Sequence, residues 1–413
     1  MERKVSFLPI FITVFIDMLG VGIVIPILAP LFLNPAAGVL PFNYTMSQRT
    51  LVLGFLIASF PLAQFFGAPI LGALSDRFGR KKILMISLFG TLVGYLLFGF
   101  GIVYGMLPLL FISRVLDGFT GGNISIIMSS ISDVSDAKSK AKNFGLVGFA
   151  FGLGFILGPY IGGKLADPNL VSWFSFDTPY WFTSILTAVN IFVVYKMFNE
   201  TLHTKVNTKI SIFTGFKNIK KALSMTNLRT MFVVVFLFSL GFSFFTQFYQ
   251  VYLIQKFGMD QSSIGDIFAY LGLWIAITQG FIIRKLPSKF TPRKIMRFSV
   301  IGLGLAMFLT LVPSTSWQLF LVLPFVAVFN GLTQPNQTAI VSSLSDEKSQ
   351  GEILGINQSI QSLAMSIPPI VSGVIFSIDK TLPTLVSGSV ILLAGVIFIL
   401  FFKEKKKEIF TEV

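Results

Sequence analysis

Three ionisable residues stand inside otherwise apolar stretches: Asp17 in "FIDMLGVG" (Phe15 to Gly22), and Arg114 and Asp117 in "RVLDGFTGGN" (Arg114 to Asn123). Asp17 lies near the middle of the run from Ser6 to Leu33, where no sequence neighbour neutralises it. If that run crosses a bilayer, a charge there costs roughly 2.5–3.5 kcal/mol. Arg114 and Asp117 are three apart, on one face of a helix, and are expected to pair; Asp17 is then the carboxylate left without a fixed partner. Burial favours the neutral acid, whereas a nearby guanidinium favours the anion. A movement that changes the separation of Asp17 from Arg114 would therefore make Asp17 bind and release a proton. The chemistry on offer is reversible protonation in an apolar medium, with Asp17 as carrier, Arg114 as modulator and Asp117 as a second acid or a receptor for a cation. A merely structural buried pair is the competing reading.

Other reaction chemistries find no residues. The chain has no cysteine, which excludes thiol catalysis, disulfides and iron–sulfur ligation. Its one histidine, His203, sits in a polar central segment and reads as a solvated loop residue. Neither H-E-x-x-H nor G-x-S-x-G occurs. "GPYIGGKL" (Gly158 to Leu165) fits a phosphate-loop pattern in part, but it lacks the following Ser or Thr and belongs to an apolar helix, not to a strand-to-helix turn. No enzyme activity, cofactor or metal is expected.

The elements that must carry these residues are membrane spans. Of 413 residues, 54% are hydrophobic and 12% charged, and mean hydropathy is +0.80; a soluble domain carries about 25% charged residues. Apolar runs long enough to cross a bilayer, which takes roughly 20 helical residues, recur at 6–30, 48–74, 83–104, 107–131, 142–164, 179–198, 229–254, 261–283, 295–312, 317–343, 352–377 and 383–402. The expectation is an all-α integral membrane protein of twelve spans in two six-helix bundles, residues 1–200 and 229–413, joined by a cytoplasmic loop, 201–228. The first span starts too early and runs too long for a cleaved signal.

The net charge of +14 reflects orientation, and no nucleic-acid partner is expected. With both termini cytoplasmic, inside segments hold 27 of the 32 Lys and Arg residues and outside segments four. This bias obeys the positive-inside rule and places a multi-pass protein in the cell membrane. No basic segment is interleaved with aromatics in the manner of a base-stacking groove. "NYT" at Asn43 falls in the outer loop between spans 1 and 2, where it would be a weak glycosylation signal.

An internal repeat organises the spans. "DGFTGGNISIIMSSISD" (Asp117 to Asp133) aligns without a gap on "NGLTQPNQTAIVSSLSD" (Asn330 to Asp346), retaining Gly118/Gly331, Thr120/Thr333, Asn123/Asn336 and Asp133/Asp346 among others. In the next spans Gly145/Gly355, Pro159/Pro369 and Gly163/Gly373 recur. Parallel six-plus-six repeats build two related bundles around a site near mid-membrane, reached alternately from each side. The halves have diverged in charge, since Asp117 aligns with Asn330 and Arg114 with Ala327.

Polar residues in the second half form an expected substrate wall: Gln247 and Gln250; Asn330, Gln334, Asn336 and Gln337; Asn357, Gln358 and Gln361, with Asn123 from the first half. Phe244, Phe245, Phe248 and Tyr249 would add aromatic surface, a lining suited to an amphipathic, drug-like solute. Hydrogen bonding between helices is the amides' alternative role.

Two motifs bear on movement. In "GALSDRFGRKK" (Gly72 to Lys82), Gly72 permits close helix approach, Gly79 a tight turn, and Asp76 with Arg77, Arg80, Lys81 and Lys82 a charge cluster that would latch the halves on one side. In "GFAFGLGFILGPYIGG", Gly148, Gly152, Gly154, Gly158, Gly162 and Gly163 leave a groove nearly free of side chains, and Pro159 removes a backbone donor. Generic small-residue packing is its rival reading.

"GALSDRFGRKK" closely resembles the loop signature of the major facilitator superfamily. "RVLDGFTGGN" is similar to that family's helix-4 motif, and "DMLGVGIVIP" (Asp17 to Pro26) and the glycine-rich segment resemble the helix-1 and helix-5 motifs of its twelve-helix drug:proton antiporters, in particular the tetracycline-exporter-like branch. The resemblance covers essentially the whole chain. It implies a monomer that exports a small amphipathic compound in exchange for protons, with the helix-5 motif sealing against leak. The second-half loop "GFIIRKLPSKFTPRK" from Gly280 lacks the acid of the signature, so no latch is expected there. Proton-coupled uptake of a polar metabolite on the same fold is the alternative, and a non-transporting receptor or membrane enzyme a more distant one.

Overall fold

The computed structural model describes residues 8–135, 140–202, 211–225, 228–286, 290–344 and 350–402; His203 lies outside them. Among these residues all regular structure is helical. The helices are α1 (Leu8–Leu33), α2 (Met46–Phe78), α3 (Arg80–Val103), α4 (Leu107–Thr120), α5 (Ile124–Val134), α6 (Lys140–Leu165), α7 (Thr178–Met197), α8 (Thr214–Ser224), α9 (Arg229–Phe257), α10 (Gln261–Ile277), α11 (Ile283–Lys285), α12 (Pro292–Leu309), α13 (Leu319–Ser343), α14 (Gln350–Ile375) and α15 (Leu382–Phe401). Because α4 continues into α5 and α10 into α11, twelve crossings result. Only α8, within the expected central loop, does not cross. An even number of crossings puts the two chain ends on one face, called here the terminal face.

Local signals set the helix ends. Thr45 caps α2, accepting from Gln48 N while the Gln48 side chain takes Thr45 N (2.8 Å), a reciprocal arrangement that satisfies two otherwise orphaned donors. Asp260 and Thr291 cap α10 and α12 in the same way from one side. Buried Arg49 staples the 1–2 loop, donating to the carbonyls of Phe32 (3.1 Å), Pro41 (2.8 Å) and Tyr44 (3.2 Å).

The fourth span departs from expectation. Where 107–131 reads as one helix, a 3₁₀ turn, Gly121–Asn123, divides α4 from α5. A Cβ on Gly122 would sit 2.7 Å from Ala68 Cα, so α2 approaches too closely for any side chain there. Gln64 of α2 takes the Gly121 carbonyl (3.0 Å), satisfying a group that the local unwinding releases. The eighth span carries a π turn, Thr278–Ile282, packed through Thr278 against Gly331 of α13.

Packing repeats as the sequence does. The contact of α1 with α6 is matched by α9 with α14, α3 with α7 by α12 with α15, and α2 with α4 by α10 with α13. The Thr120 hydroxyl meets Thr91 of α3 (2.9 Å), and its repeat partner Thr333 meets Ser299 of α12 (2.8 Å). Two large contacts join the halves, α2 on α14 and α6 on α10, and the same two-fold operation exchanges them.

Candidate functional site: a buried acid beside an ion pair

Burial in lipid yields little hydrophobic gain, so small residues that let backbones meet decide how α1 is seated. On α6, Gly154, Gly158 and Gly162 are four apart and face α1; a Cβ on Gly158 would lie 2.7 Å from Gly22 Cα, and one on Gly154 2.7 Å from Leu19 N. This stripe fixes the turn of α1 that begins at Asp17.

Asp17 has a fixed partner, contrary to expectation. Asn123, in the 3₁₀ turn, donates its amide to Asp17 Oδ2 at 2.8 Å. The sequence reading placed Asn123 on the substrate wall; it is Asp17's neighbour instead, because the break in the fourth span turns it toward α1. Its repeat partner Asn336 donates to Leu332 O on its own helix (2.7 Å). Arg114 and Asp117 do pair, Nη1 to Oδ2 at 3.4 Å, with Asp117 buried and Arg114 largely so. The Arg114 guanidinium also lies over the Phe60 ring, 4.6 Å from its centroid, and its buried Nε has no hydrogen-bond partner. Asp17 as a residue is half-buried, and its carboxylate meets a neutral amide. Close by, a Cβ on Gly94 would touch Asp117 Cβ at 3.1 Å, and Gly20 of α1 lies against the Tyr95 hydroxyl.

The charge cluster of the 2–3 loop closes within the first half. Arg80 pairs with Asp76 (2.5 Å) and with Asp133 at the end of α5 (3.0 Å), and donates to Ser75 (2.6 Å). Among the described residues these bonds tie α2, α3 and α5 together, where the sequence reading had them latch the two halves. Gly72 faces Ser125 of α5, and Gly79 has φ +106°. Arg77 is exposed and lies over Phe78, 5.2 Å from the ring centroid. Sequence reasoning missed Glu200, whose carboxylate accepts from the N–H groups of Arg80 (2.9 Å) and Lys81 (3.2 Å) at the start of α3. An anion belongs at a helix N-terminus, but only the tertiary fold brings it there across 120 residues.

The glycine-rich motif serves two faces. While Gly154, Gly158 and Gly162 meet α1, Pro159 and Gly163 meet α10 of the other half: a Cβ on Gly163 would be 2.6 Å from Gln261 O, and one on Gly265 2.5 Å from Pro159 O. Gly152 faces open space, and the surroundings of Gly148 lie outside the described residues. Beside this contact Lys164 bonds Asp266 (2.9 Å) and Ser262 (2.8 Å), and Gln261 reaches Ala166 O (2.9 Å). Across α2 and α14, Thr50 donates to Gly373 O (3.0 Å). All of these lie toward the face opposite the termini, and that face is closed. Sequence reading assigned Lys164 and Asp266 no role, since charges on different spans reveal no proximity.

Of the expected substrate wall, Gln250, Asn330, Asn336, Gln337 and Asn357 are buried, Gln247, Gln358 and Gln361 half-buried, and Gln334 exposed. Gln250 Oε1, Asn330 Oδ1, Gln337 Nε2 and Asn357 Oδ1 have no hydrogen-bond partner among the described residues. Phe244, Phe245, Phe248 and Tyr249 are buried like these amides, and Phe245 packs on Tyr249 with centroids 4.4 Å apart.

Twelve crossings in two repeated sets, with a half-buried acid and an ion pair within the spans, define a transporter architecture. The chain belongs to the Major Facilitator Superfamily, whose profile matches residues 10–291 and 231–411. It is 26% identical to Multidrug resistance protein 2 of Bacillus subtilis (strain 168) over 411 residues, 98% of this chain and 97% of that one. It is 28% identical to the class B Tetracycline resistance protein of Escherichia coli over 365 residues, 88% of this chain and 86% of that one. The fold matches the crystal structure of a D-xylose-proton symporter with a TM-score of 0.78 at 16% identity, covering 97% and 98% of the two chains.

Proposed function

We propose that this protein exports a small amphipathic, drug-like compound in exchange for protons by alternating access. The carrying observation is that Asp17 meets an uncharged amide, Asn123, while Arg114 is held by Asp117 and Phe60. A movement that changes the separation of Asp17 from Arg114 would let this carboxylate take up and release a proton. Similarity to multidrug and tetracycline resistance proteins along nearly the whole chain supports the direction and the solute class.

The distribution of Lys and Arg supports a cytoplasmic terminal face, so the closed face is extracellular and this conformation is inward-facing. Residues 1–200 and 229–413 are the two rocking units, 201–228 links them, and a monomer suffices. The unpaired amide atoms of Gln250, Asn330, Gln337 and Asn357 are the groups available to the solute's polar atoms. Everted vesicles energised by an inside-acid gradient test this reading with tetracycline and ethidium as probes. Accumulation that collapses when the gradient is dissipated is expected. Gradient-driven accumulation of a polar metabolite in right-side-out vesicles, with neither probe moved, would replace export by proton-coupled uptake.

A further inference from the structure

Among the described residues the helix α8, Thr214–Ser224, is the one helix of substantial length that does not cross. It wedges between the halves: Gly215 packs on the Phe65 ring, Phe216 stacks edge-on against Phe65 (5.1 Å) and Phe66 (6.0 Å) of α2, and Asn218 donates to Ser359 of α14 (3.0 Å). At 1.5 Å per residue, Phe65 lies about 20 Å from the terminal end of α2 and Ser359 about 14 Å from that of α14. Since α2 has 33 residues, about 50 Å of helix, it overshoots a hydrocarbon core of about 30 Å. Both contacts therefore lie in the halves of α2 and α14 nearer the terminal face.

The sequence of α8 divides its surface three ways. Gly215 and Ala222 are buried toward the bundle; Phe216 and Leu223 form an exposed apolar flank; Lys217, Lys220 and Lys221, spaced i, i+3, i+4, are exposed on the remaining side. A non-spanning helix with an apolar flank and a lysine face has the pattern that binds anionic leaflets. We propose that α8 is a lipid-docking strap: Phe216 and Leu223 enter the acyl boundary, and the three lysines bind the phosphate groups of anionic phospholipid, tethering both halves to the leaflet at the point where they diverge. This rests on the membrane fold and not on the identity of the solute.

The cysteine-free chain allows a direct test. Full-length protein with Leu223→Cys, labelled with bimane, is reconstituted into phosphatidylcholine vesicles containing 30% phosphatidylglycerol, and quenching by doxyl-labelled forms of each lipid is compared. At roughly fivefold per lysine, three lysines predict a preference for phosphatidylglycerol of tenfold or more. The preference should fall to near unity in Lys217→Gln/Lys220→Gln/Lys221→Gln and persist in the corresponding Arg triple. Equal quenching by both lipids in the parent, or quenching only by a water-soluble agent as expected of a surface for a soluble partner, would overturn the proposal. If the Gln triple does not fold, raising salt on the parent decides: a preference unchanged between 0.05 and 1 M would equally overturn it.

Discussion

Gly163→Ala should open the closed face. The added Cβ would lie 2.6 Å from Gln261 O and 3.2 Å from Gly265 Cα, against the backbone of the other half, where no side-chain rotation relieves it. Overpacking of this kind costs about 1–3 kcal/mol. The strain exists only while α6 touches α10, so it is removed by separating the halves, and at tenfold per 1.4 kcal/mol the equilibrium shifts by roughly 5- to 150-fold toward the form open on that face. Gly158→Ala is the discriminating control: its Cβ meets Gly22 and Leu19 of the same half, 2.7 Å away, so it strains both conformations and lowers stability without moving the equilibrium. Gly152→Ala, with nothing within 4 Å, should do neither. Spin labels at Phe42→Cys and Ile378→Cys, sites 82% and 75% exposed in loops on that face, report the opening by electron–electron distance measurement. The reasoning is refuted if Gly163→Ala leaves the distance distribution of the parent unchanged, or if Gly158→Ala widens it equally.

Two smaller effects follow from the charges that sequence reading missed. Lys164→Gln removes the pair with Asp266, whose side chains are 30% and 43% exposed; such pairs contribute at most about 1 kcal/mol, so the same label pair should show a shift in the same direction of no more than about fivefold, and high salt should reproduce it in the parent. Glu200→Ala leaves the first N–H groups of α3 without their carboxylate and should lower thermal stability by about 0.5–2 kcal/mol, read by a melting assay in detergent; Gly79→Ala should cost more, because its φ of +106° disfavours a side chain and the new Cβ would press on that carboxylate.

The spans were legible because a bilayer admits few solutions. Apolar length alone gives twelve crossings, and the gapless match of Asp117–Asp133 to Asn330–Asp346 exposes the two-fold packing. The pairing of Arg114 with Asp117 was legible for the same reason, being local to one helix. What stayed hidden is tertiary. Nothing in "GFTGGN" states that α2 will press on Gly122, break the helix and aim Asn123 at Asp17. The glycine motif reads as one groove, yet its i, i+4 members Gly154, Gly158 and Gly162 pack inside their own half, while Phe155, Ile156, Pro159 and Gly163 meet α10 of the other. Similarly, "FFTQFYQ" alternates aromatics and amides as a binding surface would, but its Phe245, Phe248 and Tyr249 join a buried apolar cluster to which both halves contribute.

Asp17→Asn tests the central claim most directly. The amide preserves size and a hydrogen-bonding partner for Asn123 but holds no proton. Purified protein in lightly buffered detergent is mixed with tetracycline or ethidium, and proton release is recorded beside ligand binding on the same sample. The account predicts binding retained within a few fold and proton release abolished. Binding together with undiminished proton release would contradict it.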